Sequence, residues 1–359
     1  MTPTPKLPQT ATWTEIQAQP DIWRDWSGTL ASQSRDIREW IAERGIDTVW
    51  LVGAGTSAFI GGIIAAERTD LRIEDRASTD IVSCPQDCLA ANGKILVVQF
   101  GRSGNSSESV GVLDLLDKHR PDIDRLHITC NPDGALATRP APGPGQMRVL
   151  SLPEATHDRG FAMTSSFSTM LLSALACLTD FDPARIPELA EQARRLIDQL
   201  AADSDIMRPE RAVFLGSGAL RSLARESALK VLELTAGQTV TQWDSPLGYR
   251  HGPKAAVNDL THVYVSLHPD LHTSRYDLDV AEEIRSQFPD IRVTTIGRGG
   301  DIDFAGTGDA RADAVLHVLP AQIRAAQWSA ELGLPVDDPF QGRNLSRVVS
   351  GVQLYDWQS

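Results

Sequence analysis

Cysteine is scarce in this chain: four among 359 residues (Cys84, Cys88, Cys130 and Cys177). That is too few for a disulfide framework, and a reducing compartment would keep them as thiols. Cys84 and Cys88 lie on either side of Pro85 at a spacing that resembles half a zinc site, but no second Cys/His pair of suitable spacing follows, so no metal centre is expected. Long apolar runs are missing too. None approaches the roughly 18 residues that span a bilayer, and the N-terminal segment is polar, dotted with Trp, and without the apolar core of a signal peptide. These absences predict a cytoplasmic protein with no membrane partner. Basic residues are outnumbered, 34 Lys and Arg against 47 Asp and Glu, for a net charge of -13. With no dense Lys/Arg stripe to overcome that repulsion, nucleic acid is excluded as a partner.

What is present is an ordinary globular composition, 42% hydrophobic and 23% charged, in a chain too long for one core, so two packed domains are expected. Residues 12–44 carry helix-like periodicity (Ile16, Ile22, Trp26, Leu30, Ile37, Trp40, Ile41) and predict two or three helices. Short β-rich runs then alternate with segments long enough for crossover helices: VWLVG (49–53), ILVVQF (95–100), LHITC (126–130) and MRVLSL (147–152). A long helical stretch is expected at about 166–202. The scheme then restarts with AVFLG (212–216), VTQW (240–243), HVYVSL (262–267), RVTTIG (292–297) and AVLHVL (314–319). Continuous apolar strands with helical crossovers imply parallel sheets covered on both faces. LVGAGTSAFIGG (51–62) and FLGSGALRSLAR (214–225) both read as strand, Gly-x-Gly turn, helix, which points to a duplicated α/β domain. The expected division is an N-terminal helical segment 1–45, domains 46–205 and 206–335, and a tail 336–359 that docks through its apolar residues.

Ligands of open parallel sheets bind beyond the carboxyl ends of the strands, where loops enter helix N-termini. Two such loops are rich in hydroxyls. Thr56 and Ser57 begin one helix, and GRSGNSSES (101–109) places Arg102, Ser103, Asn105 and Ser106 before another. Helix N-termini favour anions, and a phosphate monoester needs many short donors converging on it. Capping alone explains one or two of these serines, not the cluster. GAGTSA (53–58) also fits the dinucleotide pattern G-x-G-x-x-A, with Glu74 and Asp75 about 20 residues on, so a nicotinamide dehydrogenase is an alternative. Farther along, ESALKVLELTAG (226–237) puts Lys230 and Glu233 on one helix face, and SPLGYRHGPKAAV (245–257) leaves His251 beside a Pro/Gly turn. A carboxylate and an imidazole are what an aldose–ketose proton shuttle needs. On spacing alone, Glu233 reads as a surface residue paired with Lys230, because such pairs are common on helices. His268 and His272 (HPDLH) invite a metal reading, but Pro269 breaks the helix that would align them.

GAGTSAFIG, FGRSGNSSESV, DRGFAMTSSFS, ESALKVLELTAG, LGYRHGPK and RVVSGVQLY together resemble the sugar isomerase (SIS) domain family, most closely its tagatose-6-phosphate ketose/aldose isomerase or galactosamine-6-phosphate deaminase group. The resemblance implies two doubly wound α/β/α SIS domains of flavodoxin/Rossmann-like type with a sugar-phosphate site at their junction. It implies that Thr56, Ser57, Ser103 and Ser106 hold the phosphate, with Arg102 and Asn105 lining the loop. Glu233, beside Lys230, becomes the proton-transferring base, and His251 the ring-opening group, donated by a neighbouring subunit of a homodimer or homotetramer. DRGFAMTSSFS adds Thr164 or Ser165 near the sugar.

Two departures from the related isomerase half of glucosamine-6-phosphate synthase bear on the reaction. The chain starts MTPTP with no cysteine behind the initiator, which predicts release of ammonia rather than its installation. The tail GRNLSRVV carries Arg347 where the synthase has a Schiff-base lysine. Arginine stays protonated, so Arg347 is expected to contact phosphate, hydroxyls or backbone. The expected function is conversion of a 2-amino-2-deoxyhexose 6-phosphate, foremost galactosamine 6-phosphate, to tagatose 6-phosphate and ammonia, with no cofactor. The gluco epimer, plain ketose/aldose isomerisation and a non-catalytic sugar-phosphate sensor stand as alternatives, although residues 12–44 lack the basic recognition helix of a DNA-binding regulator.

Overall fold

A computed structural model describes residues 6–67 and 69–358. The chain forms two compact units, each built on a parallel sheet. The first comprises Ile22–His157, Ser165–Ala184 and the chain from Ser346 onward. Its strands are β1 (Thr48–Val52), β2 (Arg72–Asp75), β3 (Ile95–Gly101), β4 (Asp124–Thr129) and β5 (Met147–Ser151), in the order β2-β1-β3-β4-β5. β3 and β4 are buried along their whole length, as inner strands of a sheet covered on both faces are, β4 even at Asp124, Arg125 and His127. Trp50, Val52, Val97, Val112 and Leu116 belong to one core cluster, against which Trp357 of the tail packs.

The second unit comprises the chain up to Asp21, Asp158–Thr164 and Arg185–Leu345. It holds β6 (Arg211–Gly216), β7 (Val240–Asp244), β8 (Thr261–Ser266) and β9 (Arg292–Ile296), in the order β7-β6-β8-β9. That is the winding of the first sheet without its last strand. The duplication extends to backbone angles. Gly55 and Gly218, at equivalent turns, have φ/ψ of 54°/−129° and 56°/−127°, which a side chain would disfavour. A Cβ on the preceding turn glycine, Gly53 or Gly216, would lie 2.6 Å from the Ser57 carbonyl carbon or 2.3 Å from the Leu220 carbonyl oxygen.

Three expectations, two of helices and one of a strand, need correction. Residues 12–44 form one helix, Ala11–Arg44, which runs through Pro20 without a break. Buried Ile16, Trp23, Trp26, Leu30, Ile37 and Trp40 keep helical spacing across the proline, so packing overrides it. The stretch 166–202 is two helices, Ser165–Leu178 and Ile186–Ala202, divided where Pro183 follows Asp182. AVLHVL (314–319) is not a strand; most of it lies in the helix Ala310–His317, capped by Asp309, whose side chain accepts from the Arg311 amide at 2.9 Å. Every residue of that helix is buried, so no amphipathic period marks it, and a short apolar run reads the same in either state. β2, with sequence RIED, carries no apolar alternation and was not anticipated. Among the described residues, no helix is long and apolar enough to cross a membrane.

Candidate active site

In the five-stranded sheet the strand order reverses between β1 and β3, and Val52 pairs with Gln99, so both strands deliver their loops side by side. This is the switch point at which doubly wound sheets receive ligands. The loop after β1 turns through Gly53 and Gly55 and sets Thr56 and Ser57 in the first turn of the helix Thr56–Ile64, each 5% exposed. The loop after β3 runs from Arg102 to Ser106 and enters the helix Ser107–His119. Gly104 turns it at φ 67°.

This second loop is built from outside as well as from within. The Asn131 side-chain amide donates to the Ser103 carbonyl at 2.8 Å, the Ala135 amide donates to the Asn105 side-chain oxygen at 2.8 Å, and Leu136 donates to the Gly104 carbonyl at 3.2 Å. The Ser103 hydroxyl accepts from the Asn105 amide at 3.2 Å. Ser103 is half-buried and Asn105 exposed. Ser106 is the N-cap: its hydroxyl accepts from the Ser109 amide at 3.4 Å and donates to the Ser109 hydroxyl at 2.8 Å. Arg102 is buried, and its guanidinium donates to the Arg347 carbonyl at 3.1 Å. The Ser107 amide donates to the Val349 carbonyl at 3.1 Å, and Lys118 pairs with Asp356 at 2.6 Å. The tail therefore runs beside the helix that follows the hydroxyl loop, with the Arg347 side chain exposed.

The matching switch point of the four-stranded unit, between β6 and β8, is filled by the protein itself. Asp277, fully buried on the helix Leu271–Gln287, accepts from the Ser217 hydroxyl at 2.5 Å and from the His268 amide at 2.9 Å. Burial pushes the Asp277 carboxyl above its ordinary range. Where the first sheet offers hydroxyls, the second already holds a carboxylate.

The acid–base candidates lie on this second unit. On the helix Ala219–Leu234, Lys230 sits between two carboxylates, 2.8 Å from Glu233 and 3.4 Å from Glu226. The Lys230 and Glu226 side chains are 1% and 0% exposed, whereas Glu233 is 23% exposed. The pair is thus no surface ion pair: it is a buried line of charge whose outer end is Glu233. Glu226 was not singled out by spacing, because an acid four residues before a lysine is commonplace on helices. His251 is exposed, one residue past the Pro246–Tyr249 helix and its Arg250 cap. Glu283 anchors the stretch on both sides of it, through Lys254 and through Arg250 at 2.6 Å. Lys254 and then Arg250 hold the Glu283 carboxyl below its usual range. Thr164 is buried, its amide donating to Asp158 at 2.7 Å and its hydroxyl at 3.2 Å; Ser165, also buried, opens the helix Ser165–Leu178. Glu74, the acid of the dinucleotide alternative, is paired with Arg72 and Arg76, each at 2.7 Å. Among the described residues, no group of three or more His, Cys, Asp or Glu is arranged to hold a metal ion.

Two doubly wound sheets of one winding, one with a hydroxyl-lined switch point, define a two-domain α/β protein of the phosphosugar isomerase type. No protein-family model matches the chain. It is 39% identical to the D-galactosamine-6-phosphate deaminase AgaS of Escherichia coli, with 99% of each chain covered, and 37% identical to the protein of that name from Shewanella sp. (strain ANA-3), covering 96% of this chain and 92% of the relative. Its structure is similar to the crystal structure of tagatose-6-phosphate ketose/aldose isomerase from Escherichia coli, with TM-score 0.87 and 35% identity over 100% of both chains. The chain belongs to the AgaS family of SIS-type phosphosugar enzymes.

Proposed function

We propose that this chain deaminates and isomerises a 2-amino-2-deoxyhexose 6-phosphate, converting galactosamine 6-phosphate to tagatose 6-phosphate and ammonia. The observation that carries this reading is the buried Lys230 between Glu226 and the half-exposed Glu233, an arrangement that presents one carboxylate to a reacting carbon while its neighbours stay out of water. The hydroxyl-lined switch point supports it, as does similarity to proteins named galactosamine-6-phosphate deaminase. Thr56, Ser57, Ser103 and Ser106 grip the phosphate, with Arg102 and Asn105 shaping the loop and Arg347 reaching it from the tail. Thr164 and Ser165 border the sugar. His251, supplied by a neighbouring copy in a homodimer or homotetramer, opens the ring by moving the proton between O5 and O1. Glu233 removes the C2 proton of the open amino aldehyde and returns it to C1, while O1 gains a proton and the amine nitrogen loses one, leaving a C1 hydroxyl and a C2 imine. Water adds to that imine and ammonia departs, which completes the balance of a deaminating hydrolysis. Binding energy from the remote phosphate positions a polar sugar that gains little from apolar burial. The same reading puts the enzyme in the cytoplasm.

A coupled ammonia assay over galactosamine, glucosamine and N-acetylated 6-phosphates tests the proposal. Ammonia from galactosamine 6-phosphate is expected. Interconversion of tagatose 6-phosphate with its aldose and no ammonia from any amino sugar would make the chain a plain isomerase. Ser103→Ala is expected to raise KM about tenfold or more, the worth of one hydrogen bond to a charged group, with kcat little changed. An unchanged KM would return that serine to shaping the loop.

A further inference from the structure

The loop DRGFAMT (158–164) carries no strand or helix, and groups from the start of the Ala11–Arg44 helix and from the segment near residue 337 hold its backbone. Glu15 accepts from the Arg159 amide at 2.6 Å and from the Gly160 amide at 3.3 Å. Phe161 donates to the Asp337 carbonyl at 2.9 Å, and its ring lies 5.0 Å from that of Phe340. The Asp337 carboxylate in turn accepts from the Ala11 amide at 2.9 Å and from the Thr12 amide and hydroxyl, each at 2.8 Å. Gly160 presses so closely on the helix that a Cβ there would lie 2.3 Å from the Thr12 hydroxyl and 3.1 Å from Glu15. The first turns of this helix and Asp337 therefore fix the loop at Arg159, Gly160 and Phe161, and Asp158 of the loop holds Thr164.

We propose that Glu15 is a positioning residue for the reaction: by accepting both the Arg159 and Gly160 amides, it fixes the loop that presents Thr164 and Ser165 to the substrate. This rests on the proposed function, in which those two residues border the sugar. Glu15 is buried in a carboxylate-rich setting, with Asp158 of the loop and Asp337 of the later segment facing it. Burial first, and Asp158 next, raise its carboxyl to about 7. Because burial and then Asp158 of the same loop raise it, the folded arrangement favours the protonated carboxyl, so the hold of Glu15 on the loop weakens as pH rises through about 7.

The experiment compares Glu15→Ala and Glu15→Gln with the wild-type full chain. Readouts are kcat and KM for galactosamine 6-phosphate across pH 5.5–8.5 and hydrogen exchange at the Arg159 and Gly160 amides. Glu15→Ala is expected to lower kcat/KM at least tenfold and to speed exchange at both amides. Glu15→Gln keeps an acceptor oxygen and is expected to recover most of the loss, while flattening the inflection near pH 7. Unchanged exchange in Glu15→Ala overturns the proposal. Should that variant fail to fold, Glu15→Gln decides, and a wild-type pH profile overturns it. Faster exchange with unchanged kcat/KM, together with unchanged KM in Thr164→Val and Ser165→Ala, would show a held loop remote from the substrate, and the failure would belong to the proposed placing of Thr164 and Ser165.

Discussion

Glu233→Gln is expected to abolish turnover, with kcat falling between about a hundredfold and ten-thousandfold, the usual contribution of a positioned general base. Moving a proton from C2 to C1 needs a group that can take it and give it back, and a glutamine amide does neither. The substitution leaves the rest almost untouched. Gln keeps a carbonyl oxygen for the Lys230 ammonium, which lies 2.8 Å from Glu233, and the buried Lys230–Glu226 contact persists. The hydroxyl loop between β3 and the Ser107–His119 helix contains no part of this residue. Sugar-phosphate affinity should therefore survive while chemistry stops. Titration calorimetry with tagatose 6-phosphate, alongside exchange of the substrate C2 proton with deuterated water, separates the two. Ammonia release or C2 exchange at wild-type rates would remove Glu233 from the proposed role.

The parts of this site that could be read from the sequence are those whose local chemistry is self-contained. GRSGNSSES announces itself because four serines and two glycines after an apolar strand have few structural uses, and the structure places that loop at a switch point. Among the described residues, eight of the nine strands coincide with the β-rich runs; β2 escapes because edge strands of charged residues lack the signal. What stays hidden depends on tertiary placement. Asn131 and Ala135 shape the hydroxyl loop from 28 and 30 residues away, and Glu283 braces the His251 turn from 29 and 33. Asp277 fills the second switch point from the middle of a helix where it resembles any exposed acid. Long-range placement is the missing variable for the first two, and burial for Asp277. Spacing favours a surface reading of the Lys230–Glu233 pair, and only the near-zero exposure of Lys230 and Glu226 overturns it.

That buried line of charge sets the other large effect, on stability. Lys230→Met is expected to destabilise the fold by about 3–5 kcal/mol, because it strips the cation from a carboxylate that has no access to water. Glu226 is 0% exposed and 3.4 Å from the ammonium, so loss of that cation raises the cost of holding its charge in a low-dielectric interior. An exposed ion pair on another helix gives the contrast. Arg195 and Glu191 are 3.0 Å apart but more than half exposed, and breaking that pair should cost less than about 1 kcal/mol. The loss at Lys230 is conditional on its partner. A Lys230→Met, Glu226→Leu double variant replaces the buried ions with apolar groups and should regain most of the stability, as buried pairs exchanged for well-packed hydrophobes commonly do. Denaturant unfolding of the two single variants and the double variant closes the cycle. A single-variant loss under about 1 kcal/mol, or a double variant no better than the single, would mean that the lysine does not neutralise Glu226. Catalysis adds an independent readout: with Glu233 still ionisable but its cation gone, the double variant should fold well and turn over slowly, which separates what Lys230 does for the fold from what it does for the base.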